Sequence, residues 1–208
     1  GKNYRNTQEI QALARMFLSP VPGISPATIS FPVNEAKPER SGLKPLLVWN
    51  TSHANQGDYA TFLVRRLLGS LKSAQHLAGL RPEDIAILYP HAAEQDRRIL
   101  SRMVSELGRF CPVQWVSENH HTHSRIHLPG VKVHDARSIK GMQYRAVMVL
   151  FSEYFDTYLT DPLHSDDRHL LYVALTRPAD FLTIQYTEKT GLIRKILSSG
   201  NVDEFIGK

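Results

Sequence analysis

Asp84-Ile85-Ala86-Ile87-Leu88-Tyr89-Pro90 is the stretch whose reading decides the fold of this chain. Five consecutive apolar residues closed by a proline are too few for an ordinary helix and lack the alternation of a half-solvated strand. They imply a strand covered on both faces, as found in a parallel sheet between two layers of helices. Downstream, Ile99, Leu100, Met103, Val104 and Leu107 mark a helix ended by Gly108. Upstream, Ala60, Leu63, Val64, Leu67, Leu68 and Leu71 repeat at helical spacing from Asp58, and Leu46-Leu47-Val48-Trp49 precede them as a strand.

The alternation continues outward. Strands are expected at 113–116, 131–134, 146–151 and 182–186, with one helix ending at Thr176-Arg177 and a closing helix at 192–197. The first helix is signalled by Asn6 as N-cap with Glu9 three residues on, and by the stripe Ile10, Leu13, Ala14 and Phe17. It stops at Ser19-Pro20. Six prolines and two glycines between residues 20 and 45 require a loop over about 19–45 with at most a short extended piece near 29–33. The expectation is an α/β domain over residues 1–208 with a mainly parallel sheet, its ligands gathering at the carboxyl ends of the strands.

At 208 residues the chain is long enough for one full core. Its formal charge of +5 permits, without requiring, a nucleic-acid or nucleotide partner. The one cysteine, Cys111, excludes an internal disulfide and a thiolate metal cluster, which fits a reducing, cytoplasmic setting. The longest apolar runs fall far short of the ~20 residues that cross a bilayer, so no membrane partner is expected. Patterned sequence begins at once after Gly1 without an initiator Met, which reads as a segment of a longer protein.

Three segments are suited to chemistry: Asn3-Tyr4-Arg5-Asn6; Ser138-Ile139-Lys140-Gly141-Met142-Gln143-Tyr144; and Asp166-Asp167-Arg168-His169-Leu170-Leu171-Tyr172-Val173-Ala174-Leu175-Thr176-Arg177. The last is a short apolar helix that presents a hydroxyl and a guanidinium just before Pro178. Arginine is always charged and offers a rigid fork of donors, so Arg177 and Arg5 suit a phosphate. Lys140-Gly141 suits a tight turn whose free backbone N–H groups hold phosphate oxygens. A plainer reading also stands: Tyr4 and Arg5 cap a helix, Arg177 sits where a helix dipole favours a cation, and 138–144 is a polar turn.

In order and spacing these segments resemble motifs IV, V and VI of the UvrD/Rep-type superfamily 1 DNA helicases: N-Y-R-S, then H-S-x-K-G-L-E-F, then R-R-L-x-Y-V-A-x-T-R. The strand Asp84 to Tyr89 looks like the family's strand between motifs IV and V, so the resemblance spans almost the whole chain. It implies a three-layer RecA-like (P-loop NTPase-like) fold and the second motor domain of an ATP-dependent helicase. ATP and Mg²⁺ would then be held mainly by an N-terminal RecA-like domain of the same polypeptide, with single-stranded DNA as the other partner. The resemblance makes Arg177 and Arg5 arginine fingers, Tyr4 the residue stacked on adenine, and Gly141 and Gln143 nucleotide contacts. Arg137, Ser138 and Lys140 become contacts to single-stranded DNA.

The chain departs from that family at several points. Gln143 stands for Glu, Arg137 for His and Asp135 for Thr, and Pro90-His91-Ala92 replaces R-x-N. The large helical insertion of well-known members is missing; its place is taken by a loop at 117–130 with four histidines in residues 120–127. His120 with His123, or His123 with His127, could ligate a metal, but the spacing fits no zinc template and no metal is assigned. No G-x-x-x-x-G-K-[ST] loop and no Asp-Glu pair after an apolar strand occur, so the chain alone is expected to be inactive toward ATP. Two rival readings are a non-catalytic nucleic-acid binding or regulatory module that keeps the motor fold and, last, an unrelated nucleotide-binding α/β enzyme.

Overall fold

Residues 6–17, 40–69, 77–119, 121–139, 141–156 and 168–207 are described by a computed structural model. The run Ile85 to Tyr89 becomes strand β2, every residue of it buried. Its alternate residues serve opposite faces: Ile85, Ile87 and Tyr89 join one core, Ala86 and Leu88 the other. Helices therefore cover both sides, and the molecule has three layers.

The remaining strands are β1 (Leu46–Trp49), β3 (Val113–Trp115), β4 (Val131–Asp135), β5 (Tyr144–Val149), β6 (Pro178–Tyr186) and β7 (Asp203–Ile206). All pairings are parallel, in the order β3-β4-β2-β5-β6-β1-β7. One face carries α2 (His53–Leu68) and α3 (Glu94–Gly108), through Leu63, Val64, Leu67, Leu100, Met103 and Leu107. The other carries α1 (Gln8–Arg15), α4 (Arg168–Leu175) and α5 (Gly191–Ser198). Buried Ala136 and Ile139 show that the 136–143 segment crosses this second face. No helix among the described residues is long and apolar enough to cross a membrane.

The α/β class and the parallel sheet agree with the sequence reading, but several boundaries and caps do not, among them β5, expected at 146–151 and found at Tyr144–Val149. α2 starts at His53 rather than Asp58, because Ser52 Oγ accepts the Asn55 N–H at 3.2 Å. Its first turn, His-Ala-Asn-Gln-Gly, carries no apolar stripe, since a glycine there serves close packing: a Cβ on Gly57 would lie 2.9 Å from Ile99 Cγ2 of α3. α3 starts at Glu94, where Asp96 reaches back to the Ala93 N–H. β6 begins at Pro178 itself, since a proline is tolerated at the first position of a strand. α1 is capped by Thr7, not Asn6. Glu9 binds Ser41 Oγ and the Gly42 N–H instead of closing a box on residue 6.

β7 is an additional strand beyond the six expected. Asp203-Glu204-Phe205-Ile206 shows neither alternation nor an apolar run, because all four residues are exposed on an edge. Only its parallel pairing with β1 makes it a strand. The Pro-rich loop through residue 39, residues 157–167, Tyr4, Arg5, His120 and Lys140 lie outside the described residues.

Candidate functional site

The chain direction of β4 and β5 divides the 136–143 segment between the two ends of the sheet. Asp135 pairs with Tyr89 at the carboxyl end of β2, whereas Tyr144 pairs with Pro178 at the amino ends of β5 and β6. Arg137 and Ser138 therefore sit at the carboxyl end of the sheet, and Gly141 and Gln143 at the amino end.

At the amino end, Arg177 stands two residues past the end of α4. Its Nε donates to Val173 O at 2.9 Å, Nη1 to Met142 O at 2.9 Å and Nη2 to Thr176 Oγ1 at 3.1 Å. Its carbonyl accepts the Tyr144 N–H at 3.0 Å. The guanidinium is thus held against the 141–143 turn, and Arg177, Gly141 and Gln143 come together as one unit. Gly141 has φ +86°, which a side chain would strain although nothing stands within 4 Å of its Cβ position. Gly141, Met142 and Gln143 line a cleft of about 570 Å³ with His127, Lys132 and Glu83 on its other walls.

Two further arginines at this end had no motif to announce them. Asp180, 4% exposed, accepts Arg40 Nη1 at 2.6 Å and Arg145 Nε at 2.7 Å. Two guanidinium groups thus share one buried carboxylate. Residues 40, 145 and 180 are far apart in sequence, so only the chain path assembles them.

Asn6 is buried at 4% exposure, and its Nδ2 donates to Thr176 O at 3.0 Å and Pro178 O at 2.6 Å. The segment that precedes α1 is thereby tied to the junction that carries Arg177.

At the carboxyl end, Asp135 Oδ1 accepts the N–H groups of Arg137 and Ser138, each at 2.9 Å, and Ser138 Oγ donates to Asp135 O at 3.1 Å. The Met142 N–H goes to Ile139 O at 3.0 Å. The backbone N–H groups of 137, 138 and 142 are thus taken up within the segment, and the carboxylate of Asp135 acts as a local cap.

The same end carries a polar cluster that no motif suggested. His53 faces Asp96 Oδ1 through Nδ1 and Glu153 Oε1 through Nε2, both at 2.9 Å. Two acceptors on two ring nitrogens call for two N–H donors, so the geometry favours the imidazolium. The Glu153 contact, with Asp96 adding to it, holds the His53 pKa above its ordinary value against the opposing effect of burial. Tyr154 donates to Asp96 Oδ2 at 3.0 Å, and its own phenol is pushed up by burial and by that carboxylate. His91 stacks on Tyr154 with centroids 4.6 Å apart, its pKa lowered mainly by burial. Phe151, at φ +53°, makes the sharp turn that places Glu153, and its N–H is held by Gln56 Oε1 at 2.7 Å. The signals that could have located this cluster were weak: a His one residue past a helix cap, and acidic residues in loops after strands.

No group of three or more His, Cys, Asp or Glu side chains among the described residues is arranged to hold a metal ion; His123 and His127 bound one short 3₁₀ turn. His134, buried on β4, has its pKa lowered to about 4 by burial, and its Nε2 lies 3.1 Å from Tyr144 Oη.

No protein-family model matches the chain, and no curated protein matches it in sequence. Among solved structures, the crystal structure of the C-terminal domain of a possible DNA helicase from Lactobacillus plantarum WCFS1 superposes with a TM-score of 0.53. The chain has the fold of that domain. The match covers 99% of each chain at 19% identity, so it establishes architecture and assigns no residue a role.

Proposed function

We propose that the chain is the C-terminal motor domain of an ATP-dependent superfamily 1 DNA helicase or translocase of UvrD/Rep type. Its ATP and Mg²⁺ are held mainly by an N-terminal RecA-like domain of the same polypeptide. The observation that carries this reading is the packing of the Arg177 guanidinium on the carbonyl of Met142, between Gly141 and Gln143.

The residues present fit that division of labour. The cleft beside Gly141 and Gln143 offers an amide oxygen to a ribose hydroxyl, and Arg177 offers a fixed positive charge. When bound, ATP supplies the phosphoryl group whose transfer drives translocation. Arg177 gives up hydrogen bonds to neutral carbonyls for bonds to an anion, which are roughly twice as strong. A finger of this kind is worth about 10³ to 10⁵ in rate. Arg5 is the second finger and Tyr4 the adenine stack. Arg137, Ser138 and Lys140 bind single-stranded DNA.

The test is Arg177→Ala in the intact protein. DNA-stimulated ATP turnover should fall at least about a hundredfold with the melting temperature little changed. Near-normal turnover would remove Arg177 from the mechanism. A second reading, a nucleic-acid binding module without turnover, is favoured by the closed Asp135 cap; an intact protein that binds single-stranded DNA but hydrolyses no ATP would select it.

A further inference from the structure

We propose that Asn6 is a positioning residue for Arg177, holding the backbone on both sides of that arginine so that its guanidinium meets the phosphate in one geometry. The proposal rests on Arg177 serving as the finger argued above. One amide nitrogen has two protons, and here they go to Thr176 O and Pro178 O, the carbonyls that immediately flank Arg177. The first is the carbonyl of Thr176, one residue past the end of α4. The second sits at the first residue of β6. The Tyr144 N–H holds the carbonyl of Arg177 itself. Three consecutive carbonyls, 176, 177 and 178, are thus fixed from two directions, by α1's leading residue and by β5.

Nothing about α1 itself requires this. Thr7 already caps the helix, and Gln8 N–H is held by Arg40 O at 2.9 Å, so the Asn6 side chain is not needed for helix initiation. It is instead buried and committed across 170 residues of sequence. An arginine finger contributes only if its charge lies within a fraction of an ångström of the developing anion, and a misplacement of about 1 Å from a change remote from the chemistry can cost a hundredfold. Releasing two carbonyls beside Arg177 lets the α4–β6 junction relax toward solvent and moves that charge. Such a loss acts where charge builds up in the transition state, so kcat should respond and nucleotide affinity should not.

In the intact protein, Asn6→Ala should lower kcat for DNA-stimulated ATP hydrolysis about tenfold, with KM for ATP within about twofold of the parent. Asn6→Ser, which keeps one donor, should fall between the two. The double variant Asn6→Ala/Arg177→Ala should be no slower than Arg177→Ala alone, because there is no longer a charge to position. Melting temperature measured alongside separates packing from positioning; if Asn6→Ala does not fold, Asn6→Ser carries the same comparisons. Normal kcat in folded Asn6 variants while Arg177→Ala is inactive overturns the positioning role. So does a further loss when the Asn6 change is added to Arg177→Ala. Full activity of Arg177→Ala overturns the finger reading instead, so the two failures are distinct.

Discussion

His53 shows how a single side chain joins three loops at the carboxyl end of the sheet. It stands in the first turn of α2 and reaches Asp96 at the start of α3 and Glu153 after β5, with its side chain 20% exposed. Its folded pKa is raised, so the stability it adds is complete below its unfolded value of about 6.5 and is lost as pH rises through the folded value. His134 has the opposite sign: lowered to about 4, it adds stability above about 6.5 that is lost as pH falls toward 4. His53→Gln should therefore flatten the alkaline side of a melting-temperature profile, by about 2–4 °C between pH 6 and 9, and leave the acid side unchanged. An unaltered alkaline limb in that variant would separate His53 from the effect. Neither histidine could be ranked from sequence, because burial and the two carboxylates come from elements far along the chain.

Among the elements, the α2–α3 pair is set by one glycine. The apolar stripe from Ala60 to Leu67 locates α2 and its buried face without any structure. It does not reveal that the helix extends back to His53, since Gly57 and Gln56 serve contacts with Ile99 and with the Phe151 turn. Gly57→Val should destabilise the domain by about 1–3 kcal/mol in denaturant unfolding, because its branches would press on Ile99 and the two helices would part. A variant as stable as the parent would mean that the helices separate freely. Arg177 illustrates the same division: the end of α4 and the charge were legible, but its seat on Met142 O was not, because the turn lies 35 residues away and arrives at the same sheet end only through parallel β5 and β6. Asn6 was read as a cap from its residue type; the tertiary path gave its amide two better acceptors.

For the whole molecule, the sheet is completed from both ends of the chain, with β7 pairing β1 at the edge and α1 packed on α4. A cleft opens beside Gly141 at the amino end of the sheet, and the sequence holds no G-x-x-x-x-G-K-[ST] phosphate loop. The isolated chain should accordingly hydrolyse no ATP above background. Its affinity for single-stranded DNA should be weak and fall as salt rises, because few phosphates are neutralised. Measured turnover by purified protein would show that a complete site exists within these residues.

The sequence by itself determined the alternation of strand and helix, the two-faced burial of Ile85 to Tyr89 and the presence of Arg177 at a helix end. These follow from local apolar periodicity and residue chemistry, which neighbours in sequence settle. Tertiary structure alone decided that β7 exists, that Asp135 caps its own turn, that Asp180 gathers Arg40 and Arg145, and that Asn6 grips both sides of Arg177. Hydrogen bonds and ion pairs between distant segments depend on which strand ends meet, and a parallel sheet brings together residues that the sequence keeps far apart.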